Sequence, residues 1–327
     1  MELSGIPLWI WAAFMAFVLG MLALDLGVFH RKVHVVSLKE SLIWTGVWIA
    51  LALVFNGVIF AAWDTIQPNS QYSPTEAGTA FLAGYLIEKA LSVDNIFVFL
   101  MVFAYFQVPS QLQHRVLFYG IIGALVFRAI FIALGAAVLE KYHFMVIVFG
   151  IFLIFTGIKM VVAHGKQVDP DKNPVIKFIK RLWPVTPDFH GQKFFTVING
   201  TRMMTPLFVT LVFIELTDII FAVDSIPAIF AITRDPFIVF TSNVFAILGL
   251  RSLYFALSGL MDKFHYLAYG LSAILVFVGL KMTYSYWNWY GKFPVGLSLG
   301  IIATVLTASV VASLMWPPKP KDIEKAA

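Results

Sequence analysis

The chain has 327 residues, of which 60% are hydrophobic and only 13% charged. A water-soluble domain carries roughly 25% charged residues, so a soluble fold is excluded, and the net charge of +5 reads as a membrane-loop bias, not as a sign of nucleic-acid binding. Cysteine is absent, which rules out disulfides, thiolate chemistry and Cys-type zinc sites.

Apolar blocks of about 20 residues recur along the chain, the length at which a helix crosses a hydrocarbon core of about 30 Å. They predict an all-α, polytopic membrane helix bundle, with 1–327 as a single integral membrane domain. About nine spans are expected, near 8–28, 41–63, 79–105, 116–138, 144–163, 206–231, 237–258, 265–283 and 293–316. All are read as helices, because an open strand in lipid leaves its backbone groups unpaired. No basic stretch or small-residue cleavage site precedes the first span, and basic residues follow it, so it reads as a retained helix.

Orientation follows from the basic residues. Arg31, Lys32, Lys39, Arg115, Lys263 and the tail lysines fall on one face with the connection 164–205, which alone holds Lys166, Lys172, Lys177, Lys180, Arg181, Lys193 and Arg202. That face is expected to be cytoplasmic, with the N-terminus outside and the C-terminus inside. Within 164–205, Asn173 to Trp183 sets Val175, Ile176, Ile179, Leu182 and Trp183 opposite Lys177, Lys180 and Arg181. The pattern suits a short helix on the cytoplasmic leaflet or one packed on the protein. The aromatic run from Tyr284 to Tyr290 reads as an outer interfacial belt.

Spans three to five repeat as spans six to eight. Leu86 to Ile96 aligns with Leu216 to Ile226, placing Glu88 on Asp218 and Asp94 on Asp224. Arg128 to Gly135 resembles Arg251 to Ser258, and Gly157-Ile-Lys-Met160 matches Gly279-Leu-Lys-Met282. Each unit has an odd number of spans, so the second copy, 206–283, is inverted relative to the first, 79–163; the last span, 293–316, stands outside both. Inverted three-helix repeats are a transporter architecture, with the substrate bound near the midplane where the copies meet.

Asp25, Glu88, Asp94, Glu215, Asp218 and Asp224 all fall within spans, where each costs roughly 2.5–3.5 kcal/mol on insertion scales. Such a set is expected to face the bundle interior and meet cations, protons or basic side chains, although Asp25, near a span end, suits a structural role equally well. Glu88 and Asp94 lie about 120° apart around a helix and about 9 Å apart along it. Either that helix breaks, or each carboxylate works with partners from the other copy. Pro227 lacks an N–H and clashes with the carbonyl of Val223, which points to freed backbone beside Asp224. The candidate metal ligands are therefore Glu88, Asp94, Asn95, Glu215, Asp218 and Asp224, with Ser92, Thr217, Ser225 and Asn243 as further oxygen donors. An all-oxygen set suits Mn²⁺, Mg²⁺ or Ca²⁺. Lys89, Arg128 and Arg251 are the charge-balancing residues, and the two arginines are also the groups that would bind an oxyanion. Lys159 and Lys281 are placed to reach the interface.

Gly84 to Val98, Glu215 to Ala228 and Thr241 to Arg251 resemble the TerC family, and within it the Alx-type bacterial members. The resemblance covers nearly the whole chain. It implies a bacterial inner-membrane protein of a family associated with tellurium resistance, redox modulation and, for Alx-like members, Mn²⁺ export. It also implies that Glu88, Asp94, Glu215, Asp218 and Asp224 occupy the family's acidic transmembrane positions. The expected function is a secondary transporter exporting Mn²⁺ in exchange for protons. No P-loop is present to couple ATP, no catalytic residue or cofactor is expected, and the partners are Mn²⁺, protons and the lipid bilayer. The competing readings are an oxyanion-handling or redox-modulating membrane protein and a non-transporting membrane scaffold.

Overall fold

Helix boundaries follow local capping chemistry. A computed structural model describes residues 2–3, 5–24, 37–142, 144–162, 181, 183–258, 266–287 and 294–316. Among them run ten helices: α1 (Leu8–Leu24), α2 (Leu38–Ile66), α3 (Pro74–Tyr105), α4 (Ser110–Lys141), α5 (Met145–Val162), α6 (Pro206–Phe230), α7 (Pro236–Leu248), α8 (Leu250–Leu257), α9 (Leu267–Trp287) and α10 (Val295–Met315). Ser73 opens α3 with a capping box, its side chain accepting from Glu76 N–H while the Glu76 carboxylate accepts from the Ser73 backbone N–H. Pro74, Pro206 and Pro236 each sit in a first turn, where their missing N–H has no helical partner to lose.

By length and apolar composition α2, α4, α6 and α10 can each cross a membrane, and α7 with α8 forms a fifth, bent candidate. α1, α5 and α9 are shorter apolar helices. α3 has 32 residues and carries Glu88, Lys89 and Asp94, and it is the element around which the others are arranged, packing against α2, α6, α7 and α10. Glu88 and Lys89 are tolerated because neighbouring helices, not lipid, surround them. The outer faces are apolar, with Leu19, Val54 and Phe155 each more than half exposed, as a lipid-facing surface requires. The chain is thus an all-α polytopic membrane protein.

The helix pairs have a symmetric pattern. α3 packs on α7 and α4 on α6, two contacts that exchanging the aligned copies would interconvert. α5 and α9, aligned with one another by sequence, pack together closely. A Cβ on Gly150 would meet the carbonyl of Gly279 at 2.9 Å, and one on Gly157 would meet that of Ser272 at 2.9 Å. The alignment of Gly157 with Gly279 pairs Gly150 with Ser272, so the two contacts map onto each other. Advancing along α5 moves backward along α9, so the pair is antiparallel.

Several local expectations change. The span near 237–258 is not one straight helix: it bends by 41° where α7 meets α8 at Gly249. α3 is unbroken between Glu88 and Asp94, and α6 runs on past Pro227 to end at Phe230, so the proline stands inside the last turn and does not break the helix. Lys159 is exposed, but Lys281 is buried at 7% exposure and does not reach the surface as its counterpart does. The connection before α6 contains an antiparallel hairpin, β3 (Phe195–Ile198) with β4 (Thr201–Met204), whose Asn199 and Gly200 have φ of 50° and 77°. Asn-Gly supplies the two left-handed residues that such a turn needs. A second short hairpin, β1 (Glu2–Leu3) with β2 (Ile6–Pro7), precedes α1. Most of the amphipathic segment from Asn173 to Trp183, together with Asp25, lies outside the described residues.

Candidate metal site at the helix midpoints

Glu88, Arg128 and Asp218 each sit near the middle of their helices, α3, α4 and α6. They meet there. Arg128 Nη1 donates to Glu88 Oε1, and Nη2 donates to Asp218 Oδ1 at 3.1 Å. Arg128 Nε donates to Asp218 Oδ2 at 3.4 Å. Nη1 also reaches Asn243 Oδ1 at 3.0 Å, from α7, and Ser225 Oγ at 3.4 Å, two turns beyond Asp218 on α6. Asn243 Nδ2 donates to Glu88 Oε2 at 3.2 Å, which fixes the amide's orientation. All five residues are buried, with Glu88 at 0% exposure and Arg128 at 2%.

This is a closed polar network in a low-dielectric setting, where each group depends on the others. Two carboxylates against one guanidinium leave one negative charge in excess. Removing one partner from a buried ion pair costs about 3–5 kcal/mol, because the other charge is left uncompensated. Close by, polar atoms remain unmatched: Glu215 Oε2 and Ser92 Oγ are buried with no hydrogen-bond partner among the described residues. An unsatisfied buried group costs about 1–3 kcal/mol unless water, a proton or a cation meets it. Ser92 is one turn from Glu88 on the same face of α3, and Glu215 is one turn from Asp218 on α6.

Glu215 occupies a notch in α4: a Cβ on Gly123 would run into the Glu215 carboxylate. Lys89, beside Glu88 in sequence, turns the other way. Its Nζ donates to the carbonyl of Ala246 at 3.2 Å, at the end of α7 where helical carbonyls lack partners. Arg251 in α8 is 3.0 Å from His114 Nε2. A narrow, mostly apolar pocket lies between the two arginine regions, lined by Asp218, Arg251, Leu250, Ile214, Gly120 and Phe99.

Of the residues singled out from sequence, the fold brings Glu88, Asp218 and Arg128 into direct contact and sets Glu215 beside them. Asn95 is buried on α3 at 2% exposure. Asp94 and Asp224 are placed in α3 and α6, while their side chains lie outside the described residues. Among the described residues no three His, Asp or Glu side chains converge as a metal-binding group. The described oxygens that do converge come from two carboxylates, an amide and a hydroxyl. Asn243 was legible as a candidate oxygen donor, but its contact with Glu88 spans 155 residues and needs the tertiary fold. The Gly123 notch had no sequence signal apart from the glycine itself.

The sequence profile of the integral membrane protein TerC family matches residues 73–321. A membrane protein of Myxococcus xanthus is 52% identical over 306 residues, covering 94% of this chain and 92% of its own length. The Alx protein of Escherichia coli K12, provisionally described as a membrane-bound redox modulator, is 43% identical over 312 residues, covering 95% of each chain. Its Salmonella typhi namesake is 43% identical over 323 residues, covering 98% of each. No solved structure matches. The match spans both aligned copies and every residue of the buried cluster, and the chain is a member of the TerC family of integral membrane proteins.

Proposed function

We propose that this protein is a secondary transporter that exports a hard divalent cation, Mn²⁺ foremost, across the bacterial inner membrane in exchange for protons. The observation that carries this reading is the midpoint cluster. Carboxylates from two aligned helices, Glu88 and Asp218, point at one cationic centre with Asn243 and Ser225. Every acceptor in that shell is oxygen, the ligand chemistry that Mn²⁺, Mg²⁺ and Ca²⁺ share. Asp94 and Asp224, matched by the repeat, would complete a coordination set drawn from both copies. Metal binding displaces whatever protons the carboxylates hold, which gives exchange a physical basis. The choice of manganese rests on the TerC resemblance, and the orientation, N-terminus outside and C-terminus inside, rests on the basic loops.

An oxyanion reading draws less support. Arg128 directs its donors at two carboxylates, and an anion would have to displace both. Redox modulation, suggested by the names of relatives, cannot proceed through thiols of this chain, which has no cysteine. The test is uptake of labelled Mn²⁺ into proteoliposomes of the purified protein under a proton gradient. Flux that collapses with the gradient supports the proposal. Tellurite flux without cation flux favours the oxyanion reading, and absence of any divalent-cation flux overturns transport.

A further inference from the structure

We propose that Arg128 is a built-in competitor of the transported cation: its guanidinium holds the oxygen shell when the ion is absent and must leave it for the ion to bind. The inference rests on the cation-transport reading above. Five oxygens accept from this one side chain: Glu88 Oε1, both Asp218 oxygens, Asn243 Oδ1 and Ser225 Oγ. They come from α3, α6 and α7, while the arginine comes from α4. Several oxygens from different elements around one positive centre is the arrangement that a hard divalent ion also requires. Ser92 Oγ, at 0% exposure and with no partner among the described residues, lies one turn from Glu88 on the same helix face.

Guanidinium cannot vacate the shell by losing its proton, since arginine stays charged in proteins. It must move. Its contacts join Glu88 of the first copy to Asp218, Ser225 and Asn243 of the second, so its departure removes a polar tie between the two copies and leaves the Asn243–Glu88 hydrogen bond and the helix packing to hold them. Cation binding is thereby coupled to the loss of that tie. The arrangement also sets selectivity. A monovalent ion that replaces the guanidinium gains no charge over it and still has to shed its own water. A divalent ion brings twice the charge to a shell with a surplus negative charge. Arg128 is thus a positioning and specificity residue that makes the site refuse Na⁺ and K⁺.

The experiment is Mn²⁺ binding to purified full-length protein in lipid nanodiscs, read by the loss of the free-ion electron paramagnetic resonance signal. Arg128→Gln should lower the Mn²⁺ dissociation constant by about tenfold or more, because the competitor is gone. Arg128→Lys keeps the charge but loses the planar fork, and should lower it by about threefold. Excess Na⁺ should displace Mn²⁺ from Arg128→Gln and not from the unmodified protein. Equal or weaker Mn²⁺ binding in Arg128→Gln overturns the proposal. If that variant yields no folded protein, the Arg128→Lys constant decides alone, and a value equal to the unmodified protein's overturns it. Proteoliposome flux by the unmodified protein is scored separately: its absence defeats the transport reading, while the binding series still decides whether Arg128 excludes a cation.

Discussion

Glu215 and Asp218 are one helical turn apart, yet their surroundings differ. Asp218 is met by a guanidinium, whereas Glu215 rests in the Gly123 notch with one oxygen unmatched. Gly123→Ala puts a methyl group into the space of that carboxylate, which is the mobile end of a side chain and can swing away. Stability should therefore fall by no more than about 1–2 kcal/mol, while Mn²⁺ flux falls at least about tenfold. Gly120→Ala is the matched control, since its Cβ would meet Ile214 Cγ2 at an ordinary 3.4 Å. Equal flux in the two variants would show that the notch does not matter to transport. The repeat makes a separate prediction for Asp94 and Asp224. Replacement of either by Asn keeps size and most hydrogen bonding but removes charge, and should abolish export at unchanged protein level, with Lys159→Gln mild. Normal export by both Asn variants would leave Glu88, Asp218 and Glu215 as the site. At this scale the sequence made the acidic positions legible, because charge inside an apolar helix stands out against its neighbours. Which charge meets which was not legible: Arg128 and Asp218 are 90 residues apart, and the helix pitch says nothing of partners on other helices.

The bend between α7 and α8 is held by small size and by charge. Gly249 leaves room for Lys89 Nζ, which a Cβ there would meet at 2.8 Å, and for Trp48 Cβ at 3.1 Å. The ammonium in turn meets the Ala246 carbonyl at the end of α7. Gly249→Ala should destabilise the protein by about 1–3 kcal/mol, seen as a lower unfolding temperature in detergent. At the other end of α7, Asp235 accepts from the N–H groups of Phe237 and Ile238, with its oxygen 2.9 Å and 3.1 Å away. Burial pushes its carboxyl above the usual carboxylate range, and those two bonds, with one from Gln67, offset only part of that effect. A carboxyl raised in the folded state favours folding while protonated and loses that contribution as pH rises through the folded value. Asp235→Asn keeps the cap and removes the charge. It should be at least as stable as the unmodified protein at neutral pH, and the difference should shrink as pH falls. A difference that grows on acidification would mean that the charged cap is the stabilising form. Elements were legible where hydrophobic length was strong; the third span, expected from 79, begins five residues earlier at the Ser73-Pro74 cap, whose residues are polar and lie before the apolar run. The Gly249 bend was not, because a glycine within an apolar run is compatible with a straight helix. The hairpin between β3 and β4 was signalled by Asn199-Gly200, a turn pair overshadowed by the basic residues around it.

Over the whole molecule the decisive feature is the relation between α5 and α9. Gly157 and Gly279 occupy matching places in the aligned copies. A Cβ on Gly157 would meet Ser272 O and Val276 Cγ2, both at 2.9 Å; one on Gly279 would meet Gly150 O at 2.5 Å and Ile154 Cγ1 at 2.8 Å. The same offset that carries Gly157 to Gly279 carries Ile154 to Val276 and Gly150 to Ser272, so the two sets of contacts exchange. In each case the nearest atom is backbone, which cannot rotate out of the way. Close helix approach through small residues is how membrane helices associate when no water drives them together. Gly157→Val and Gly279→Val should therefore destabilise by similar amounts, about 1–3 kcal/mol or more each. Gly46→Val on α2, with nothing within 4 Å, should leave stability unchanged or slightly raised, since valine is the better helix former of the two. Thermal unfolding of the three variants in one detergent measures this. Tolerance of Gly157→Val at the level of Gly46→Val, with Gly279→Val severe, would show that the contact is not shared evenly and that the copies are not related by a two-fold axis. If the axis holds, α5 and α9 cross the bilayer in opposite senses. Of the exposed Lys159 and the buried Lys281, each near the end of its helix, one then lies toward each face. The basic loops assign the faces, so a reporter fused after Ala327 should be cytoplasmic and one inserted between Pro68 and Ser73 external. An external C-terminal reporter would overturn the odd span count and with it the inverted relation of the two copies.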